Sequence, residues 1–499
     1  MTAVRARNRV VIDAGHRRRH IDRQTASREI ELKFEVAPAP TEWLVNSRRW
    51  PRLSQCKSER LSSVYYDTPD FELRECGYAL RVRSCGSRFL QTLKSFEEGA
   101  GLFDRGEWED EIDGPEPDVD RLAGTPVCDL QLGALRPVVQ TEIERTGYRA
   151  AQSGSEVEID VDVGTVSAAN GVAQVSELEI ELIRGAPSAA LEVARQIAEE
   201  IPVKLAMMSK AERGFALTAS SLPAWAKAGH VHLIPGMSVA QGLAIIVAAC
   251  LRHFRLNEPL LIEHRNAEGL HQARVAMRRL RSALTLFRSA VEGREFDRIQ
   301  DELRWVFAES GDARNLDVYL ERDLPSEQRQ FLEERREDAY DRLIGAMESA
   351  RFRRLMLDLL GWSVVGEWRK GPVAAGAMDD FVFERIDRLW SKVSSAAAVT
   401  RMGDRRRHRF RIKVKKLRYA LEFVEGLQRL PPRRKRKFEK GLKQLQESLG
   451  QLHDMVTARS MVALNSWLAT PEARSKDQRR LALDADRAMR RLKGLGAYW

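Results

Sequence analysis

Cysteine is scarce in this chain of 499 residues: five occur, at 56, 76, 85, 128 and 250, and no two are spaced C-x-x-C. An odd count without that spacing argues against a disulfide framework or a zinc cluster and suits a reducing cytoplasm. Long apolar runs are missing too. None approaches the ~18–20 residues of a membrane-spanning helix, and the longest candidate, SVAQGLAIIVAACL at 238–251, reads as a buried helix. The N-terminus carries HRRRH at 16–20 but lacks the apolar core of a secretory signal. No G-x-x-x-x-G-K-[ST] loop is present, so a P-loop nucleotidase has no support.

What the chain does have is charge, unevenly placed. Residues 1–230 hold 30 Lys and Arg against 36 Asp and Glu, a net of −6; residues 231–499 hold 52 against 36, a net of +16. Halves of opposite sign have different electrostatic tasks, and the second is suited to a polyanion. A length of 499 residues exceeds one ordinary core. The pattern divides it into a basic N-terminal segment expected to be disordered (1–27), a strand-rich domain (28–216), a linker (217–230) around SSLPAWAKAG, and a helical domain (231–499).

The helical half repeats itself. HQARVAMRRLRSAL (271–284) aligns without gaps with HRFRIKVKKLRYAL (408–421), and SGDARNLDV (310–318) corresponds to LGQLHDMVT (449–457). Copies 137–139 residues apart imply two duplicated helical bundles, about 231–370 and 371–499. His271, Arg274, Arg278 and Arg281 fall on one helix face, as do His408, Arg411, Lys415 and Arg418, with Lys416 beside them. Each stripe borders an apolar seam: Leu270, Ala273, Met277, Leu280, Leu284 and Phe287 in the first copy; Phe410, Val414, Leu417, Leu421 and Val424 in the second. Cations so close together repel unless an anion neutralises them. Arg forks bind phosphate bidentately and Lys supplies a point charge. Without interleaved aromatics for stacking, the stripes favour a phosphate chain over bases, so inorganic polyphosphate fits at least as well as nucleic acid.

These signatures resemble the CHAD family of conserved-histidine α-helical domains over about 231–499. The resemblance implies two pseudo-symmetric bundles with a basic groove for inorganic polyphosphate, formed by the stripes with Arg314 and His453 of the second blocks. Asn315 departs from the pattern, where the family usually has Asp; Asp454 keeps it in the second copy.

In the acidic half, apolar residues alternate with charged ones along short segments. REIELKFEV (28–36) opens the series, followed by YALRVR (78–83), FLQTLK (89–94), RGEWEDEI (105–112), EIERTGYR (142–149), EVEIDVDV (156–163) and VSELEIELI (175–183). This is an antiparallel, strand-rich domain with helical inserts near 40–50 and 186–200. A solvated face is the ordinary fate of such charges. Here, however, Glu and Lys or Arg recur strand after strand, and a closed barrel would gather them in its lumen. Cations there need an anion, and carboxylates need divalent metal. Hard oxygen ligands suit Mg²⁺ or Mn²⁺, which bridge phosphate oxygens.

EIELK, YYDTPDFEL, GYALRVR, TLK, RGEWE, SELEIEL and SKAERGFAL resemble, in order and spacing, the CYTH family of triphosphate-tunnel enzymes over about 28–216. The resemblance implies an α+β domain built on an antiparallel β-barrel that binds triphosphate with divalent metal. Carried over, Glu29, Glu31, Glu179 and Glu181 are metal ligands, with Glu177 the weaker one. Lys33, Arg81, Arg83, Lys94, Arg105, Arg145, Lys210 and Arg213 hold phosphates, and Glu107, Glu109 and Asp162 orient cations or water. Lys204 has no motif of its own.

The order of the two halves resembles bacterial inorganic triphosphatases. It implies hydrolysis of triphosphate in the tunnel and polyphosphate binding by the groove, with the chain in the cytoplasm or at polyphosphate granules. A catalytically idle polyphosphate-binding protein, and an enzyme acting on ATP or thiamine triphosphate, are the alternatives. Membrane is not expected, nucleic acid is a weaker fit, and the sequence names no protein partner.

Overall fold

The computed structural model describes residues 31–36, 54–95, 106–128, 130, 133–218, 225–427, 432–464 and 475–499. Residues 1–27, the helical insert expected near 40–50, Glu29 and Arg105 lie outside these described residues.

Nine strands carry the N-terminal half: β1 (Glu31–Glu35), β2 (Ser54–Asp67), β3 (Tyr78–Cys85), β4 (Arg88–Ser95), β5 (Glu107–Ile112), β6 (Arg136–Gln152), β7 (Ser155–Ala168), β8 (Gly171–Arg184) and β9 (Lys204–Leu205). They form one antiparallel sheet in the order β5-β4-β3-β2-β6-β7-β8-β1-β9. The strands read from alternation are present, and β6, β7 and β8 run well beyond the segments that announce them.

The expected closed barrel is corrected to an open sheet. Among the described residues no ladder joins β5 to β9. The physical reason lies at β9, which pairs β1 over only two residues. Beyond it, the Leu205 carbonyl accepts from Arg255 Nε of the helical half at 2.9 Å, where a closing strand would have donated. The open sheet is still rolled. Lys94 of β4 acts on the Glu31 carboxylate of β1, partly offsetting the burial that raises it, although five strands separate them in the sheet.

Along β1, β7 and β8 the period of two sends Leu32, Phe34, Ile159, Val161, Leu178 and Ile180 to one buried face. Helix α1 (Pro187–Glu200) covers it with Leu191, Ala194 and Ile197. Full burial of each such Leu or Ile contributes about 1.5–3 kcal/mol. The opposite face keeps the charges. Helix α2 (Lys210–Leu217) follows β9 and returns to β6 and β7.

The rest is helical: α3 (Val239–His264), α4 (Ala267–Leu286), α5 (Arg294–Leu320), α6 (Ser326–Glu348), α7 (Ala350–Val365), α8 (Met378–Ser394), α9 (Asp404–Phe423), α10 (Pro432–Leu464) and α11 (Ser475–Leu495), with shorter turns between. The run at 238–251 extends into the 26-residue α3, long and apolar enough by length and composition to cross a membrane, contrary to the expected limit. Its most apolar window is 72% buried inside the protein, as the buried-helix reading expects. Asn257 of α3 pins the connecting segment, donating to the Ala226 carbonyl and accepting from its N–H, each at 3.0 Å. Both seams beside the basic stripes are buried. One hydrophobic core runs from Leu32 and Leu178 through α1 into α3 and α7 and on to Tyr498.

Candidate active site and anion groove

Strand register gathers the acidic half's charges on one face. Across β1 and β8, Glu31 stands opposite Glu181 and Lys33 opposite Glu179. Across β7 and β8, Asp160 faces Glu179 and Asp162 faces Glu177, and Arg145 of β6 faces Asp162. On the far side Arg81 pairs in register with Thr92, and Lys94 with Glu107. Antiparallel partners share a face, so nine strands present one polar wall.

At its centre Lys210 Nζ lies 2.7 Å from Asp162, 2.5 Å from Glu177 and 2.9 Å from Glu179. Arg145 grips Asp162 with two nitrogens at 2.6 Å and reaches Asp160 at 2.6 Å and Glu179 at 2.5 Å. Arg213 bonds Glu177. Lys33 bonds Glu179 at 2.7 Å and pairs with Glu31 at 3.1 Å. Burial pushes Glu179 up, but Lys210, Lys33 and Arg145 outweigh it and hold the carboxyl well below its usual range. The same carboxylates outweigh burial at Lys210 and hold its ammonium protonated.

Asp162, Glu177 and Glu179 bring one oxygen each within 4.8 Å of one another, a spacing that would suit a metal ion. Lys210 already supplies positive charge to all three. Beside this set, Glu31 and Glu181 carry fewer cationic partners. Burial raises Glu31, with Glu179 adding to it against Lys33 and Lys94. Glu181 is raised by burial, then by Glu31, Glu158 and Asp160, and has no ion pair among the described residues. Adjacent carboxylates that lack enough cations fit a hard divalent ion such as Mg²⁺ or Mn²⁺.

Three further residues belong to this wall and escaped the sequence reading. Lys57 lies 2.5 Å from Glu158 and 3.1 Å from Asp160. Burial lifts Asp160 to about 6 against Arg145 and Lys57. The alternation in EVEIDVDV that singles out Asp162 places Glu158 and Asp160 on the same face, so the signal was present. Lys57 has no comparable motif. Toward the other edge, Glu107 lies 3.0 Å from Lys94, and Arg81 is 4.0 Å from both Glu107 and Glu109. Thr92 Oγ1 accepts from Arg81 and donates to Glu109. Arg83 differs from the rest. It donates to Ser63 Oγ at 3.3 Å, and burial, with Arg81 next to it, lowers its pKa to about 10. Among the described residues no carboxylate pairs with it.

In the helical half α4 and α9 are in contact, and the charges of the two stripes act on one another. Arg278 of α4 lowers Lys415 and Arg411 of α9, while Asp454 of α10 feels Arg314 of α5. Burial brings Lys415 to about 7, with Arg278, Arg411 and Arg418 adding to it. His271 falls to about 4 through burial and Arg314, and His453 to about 4 through burial, Arg411 and His408. The His408 and His453 rings lie 4.8 Å apart beside a cavity of about 550 Å³ that Arg407, Arg411 and Leu452 also line. Arg274 is partly spoken for, donating to the Phe307 carbonyl and Ser310 Oγ, and Arg281 lies 5.1 Å from the Phe307 ring centroid. Lys416 lies toward Arg281 and Lys392, and Arg418 pairs with Glu422 at 3.7 Å. Arg279, in the same motif, is fully buried against Glu422 at 2.9 Å and serves packing.

Residues 27–215 match the CYTH domain model and residues 245–463 the CHAD domain model. An inorganic triphosphatase from Haemophilus influenzae is 28% identical over 192 residues, 38% of this chain and 54% of that protein. The chain thus spans about half the length of this curated relative. Among solved structures, the CHAD domain from the plant Ricinus communis is 29% identical, covering 54% of this chain and 96% of its own at a TM-score of 0.45. A candidate adenylyl cyclase from Hippeastrum, described as having a dominant triphosphatase activity, is 21% identical, covering 39% of this chain and 97% of its own at a TM-score of 0.30.

Proposed function

The chain carries a CYTH domain followed by a CHAD domain, and from that premise we propose that it hydrolyses inorganic triphosphate in the rolled sheet and binds longer polyphosphate in the helical groove. The observation that carries the reading is the charged wall. Its cations converge from β1, β3, β4, β6 and α2 on one lumen, beside carboxylates left short of positive charge. A protein that only bound polyphosphate would gain nothing from carboxylates that repel its ligand.

In this reading Arg83, Arg81 and Lys94 receive the phosphate oxygens on one side of the lumen, and Lys33, Lys210 and Arg213 on the other. Arg145 keeps Asp160, Asp162 and Glu179 oriented. Glu31 and Glu181, with Glu29 and the neighbouring Glu177 and Glu179, would hold Mg²⁺ or Mn²⁺. When bound, that ion supplies charge neutralisation and orients the attacking water. Lys94 and Arg81 hold Glu107 and Glu109 at the β5 edge, and Arg105 completes that edge. The tunnel domain would extend over 28–216. The helical domain, 231–499, would consist of two duplicated bundles whose His271, Arg274, Arg278, Arg281, Arg314, His408, Arg411, Lys415, Lys416, Arg418 and His453 line one groove. A polyphosphate ligand would bring the chain to cytoplasmic granules.

The test is phosphate release with Mg²⁺ or Mn²⁺ across triphosphate, ATP, thiamine triphosphate and long polyphosphate. Triphosphate is expected to give the highest kcat/KM. Equal turnover of ATP would transfer the assignment to another triphosphate. Full polyphosphate binding without turnover would leave a binding protein.

A further inference from the structure

Helix α2 delivers Lys210 and Arg213 to the lumen, and its first turn is fastened twice. Ser209 N and Oγ donate to Glu212 Oε2 at 2.7 and 3.0 Å, while Glu212 N donates to Ser209 Oγ at 3.1 Å. This reciprocal cap suffices to start a helix. It leaves Glu212 Oε1 over, and Arg252 Nη2 of α3 donates to that oxygen at 2.6 Å. The other terminal nitrogen of Arg252 donates to the Met207 carbonyl. One turn further along α3, Arg255 donates to the Leu205 carbonyl and is itself held by Glu258. Two arginines of the helical half therefore grip the run from β9 into α2 at Leu205, Met207 and Glu212.

We propose that Arg252 is a positioning residue for the tunnel: by clamping Met207 and Glu212 it fixes how deeply Lys210 and Arg213 enter, so the helical half sets the affinity for triphosphate. This rests on reading the lumen as the triphosphate site. Because Ser209 and Glu212 already cap the helix, Arg252 is not needed to form it; what the clamp adds is its position. Lys210 lies within 2.9 Å of three carboxylates and Arg213 against one of them, so a bound phosphate competes with short, charged contacts. Such contacts change steeply with small displacements, because the Coulomb energy of charges this close varies strongly with distance. Each half thus contributes to the site: one supplies its charges and the other supports the helix that carries two of them.

The experiment uses the full chain. Triphosphate affinity is measured by calorimetry without metal, and KM and kcat by hydrolysis with Mn²⁺. Arg252→Ala is expected to weaken affinity and raise KM about tenfold, with kcat within about twofold. Arg252→Lys keeps the charge, loses one of the contacts to Met207 and Glu212, and is expected to recover to within about threefold of the parent. Glu212→Gln retains the cap; added to Arg252→Ala it is expected to produce no further loss. Parent-like affinity in Arg252→Ala, a change in kcat alone, or additive losses in the double variant would overturn the proposal. If Arg252→Ala fails to fold, Arg252→Lys decides, and an affinity indistinguishable from the parent overturns it. A parent that binds triphosphate without hydrolysing it removes the hydrolase reading while the calorimetric comparison still stands. A parent that binds no triphosphate overturns both.

Discussion

Lys210 Nζ stands 2.7 Å from Asp162 Oδ2 in a pocket where Glu177 and Glu179 also converge. Removing one member of a buried charged set costs about 3–5 kcal/mol, because the remainder is left unpaired. Lys210→Ala is therefore expected to lower the unfolding free energy by about that amount. Asp162 and Glu179, both held low in part by that ammonium, will have higher folded pKa values without it and protonate more readily as pH falls. The gap between parent and variant should consequently narrow from pH 8 to about pH 5, read from urea unfolding at each pH. A gap that widens in acid would refute the account.

Arg83 offers the contrasting case. Its charge is half-buried beside Arg81 and has Ser63 as its hydrogen-bond partner. Arg83→Ala is expected to leave stability unchanged or slightly raised, since repulsion is relieved. Triphosphate KM should rise by about 10- to 100-fold, the loss of a charge-assisted fork. Thermal unfolding together with steady-state kinetics separates the two effects, and a large stability loss would mean that Arg83 is structural.

Gly214 on α2 tests the seat of that helix from inside. A Cβ there would lie 2.1 Å from Val139 Cγ1 of β6, so the helix must lift or the valine must move. Gly214→Ala is expected to cost about 1–3 kcal/mol and to weaken triphosphate binding. Val139→Ala in the same chain should restore much of both. Failure of that rescue would place the clash elsewhere.

The helical groove carries a pH signature. With Lys415 near 7 and His271 and His453 near 4, bound polyanion will raise all three, so the complex holds more protons than the free protein. Polyphosphate affinity should rise as pH falls from about 8.5 to 6. At pH 7.5 binding should take up protons, read from calorimetry in buffers of different ionisation heat. Proton release, or heats independent of buffer, would count against these residues facing the ligand.

The sequence made the strands and their shared charged face legible because period-two alternation is local. It also made the paired basic stripes legible, since helical offsets with matched seams leave one geometry. It could not show that Glu177 and Glu179 are occupied by Lys210 and Arg213, because those partners arrive from a helix about 30 residues later. Nor could it reveal that the sheet stays open. Closure depends on the Leu205 carbonyl, and its partner is Arg255 in the other half. Arg252 follows directly on the apolar run at 238–251 that reads as a buried helix, and a cation at its end is the signal to ask what it meets.

The core running from Leu32 through Ile197 to Trp362 has no break at the boundary between the halves. Arg195 and Asp358 join across it at 2.9 Å, and a Cβ added at Gly361 would lie 3.1 Å from Leu191 Cδ1. A chain cut after residue 230 would thus bare Leu191 and the apolar flank of α1 to water, and would aggregate unless that flank were redesigned. The two halves are separate words in the sequence but share one core: a graft of this sheet onto another partner must carry the matching surface of α3 and α7 with it.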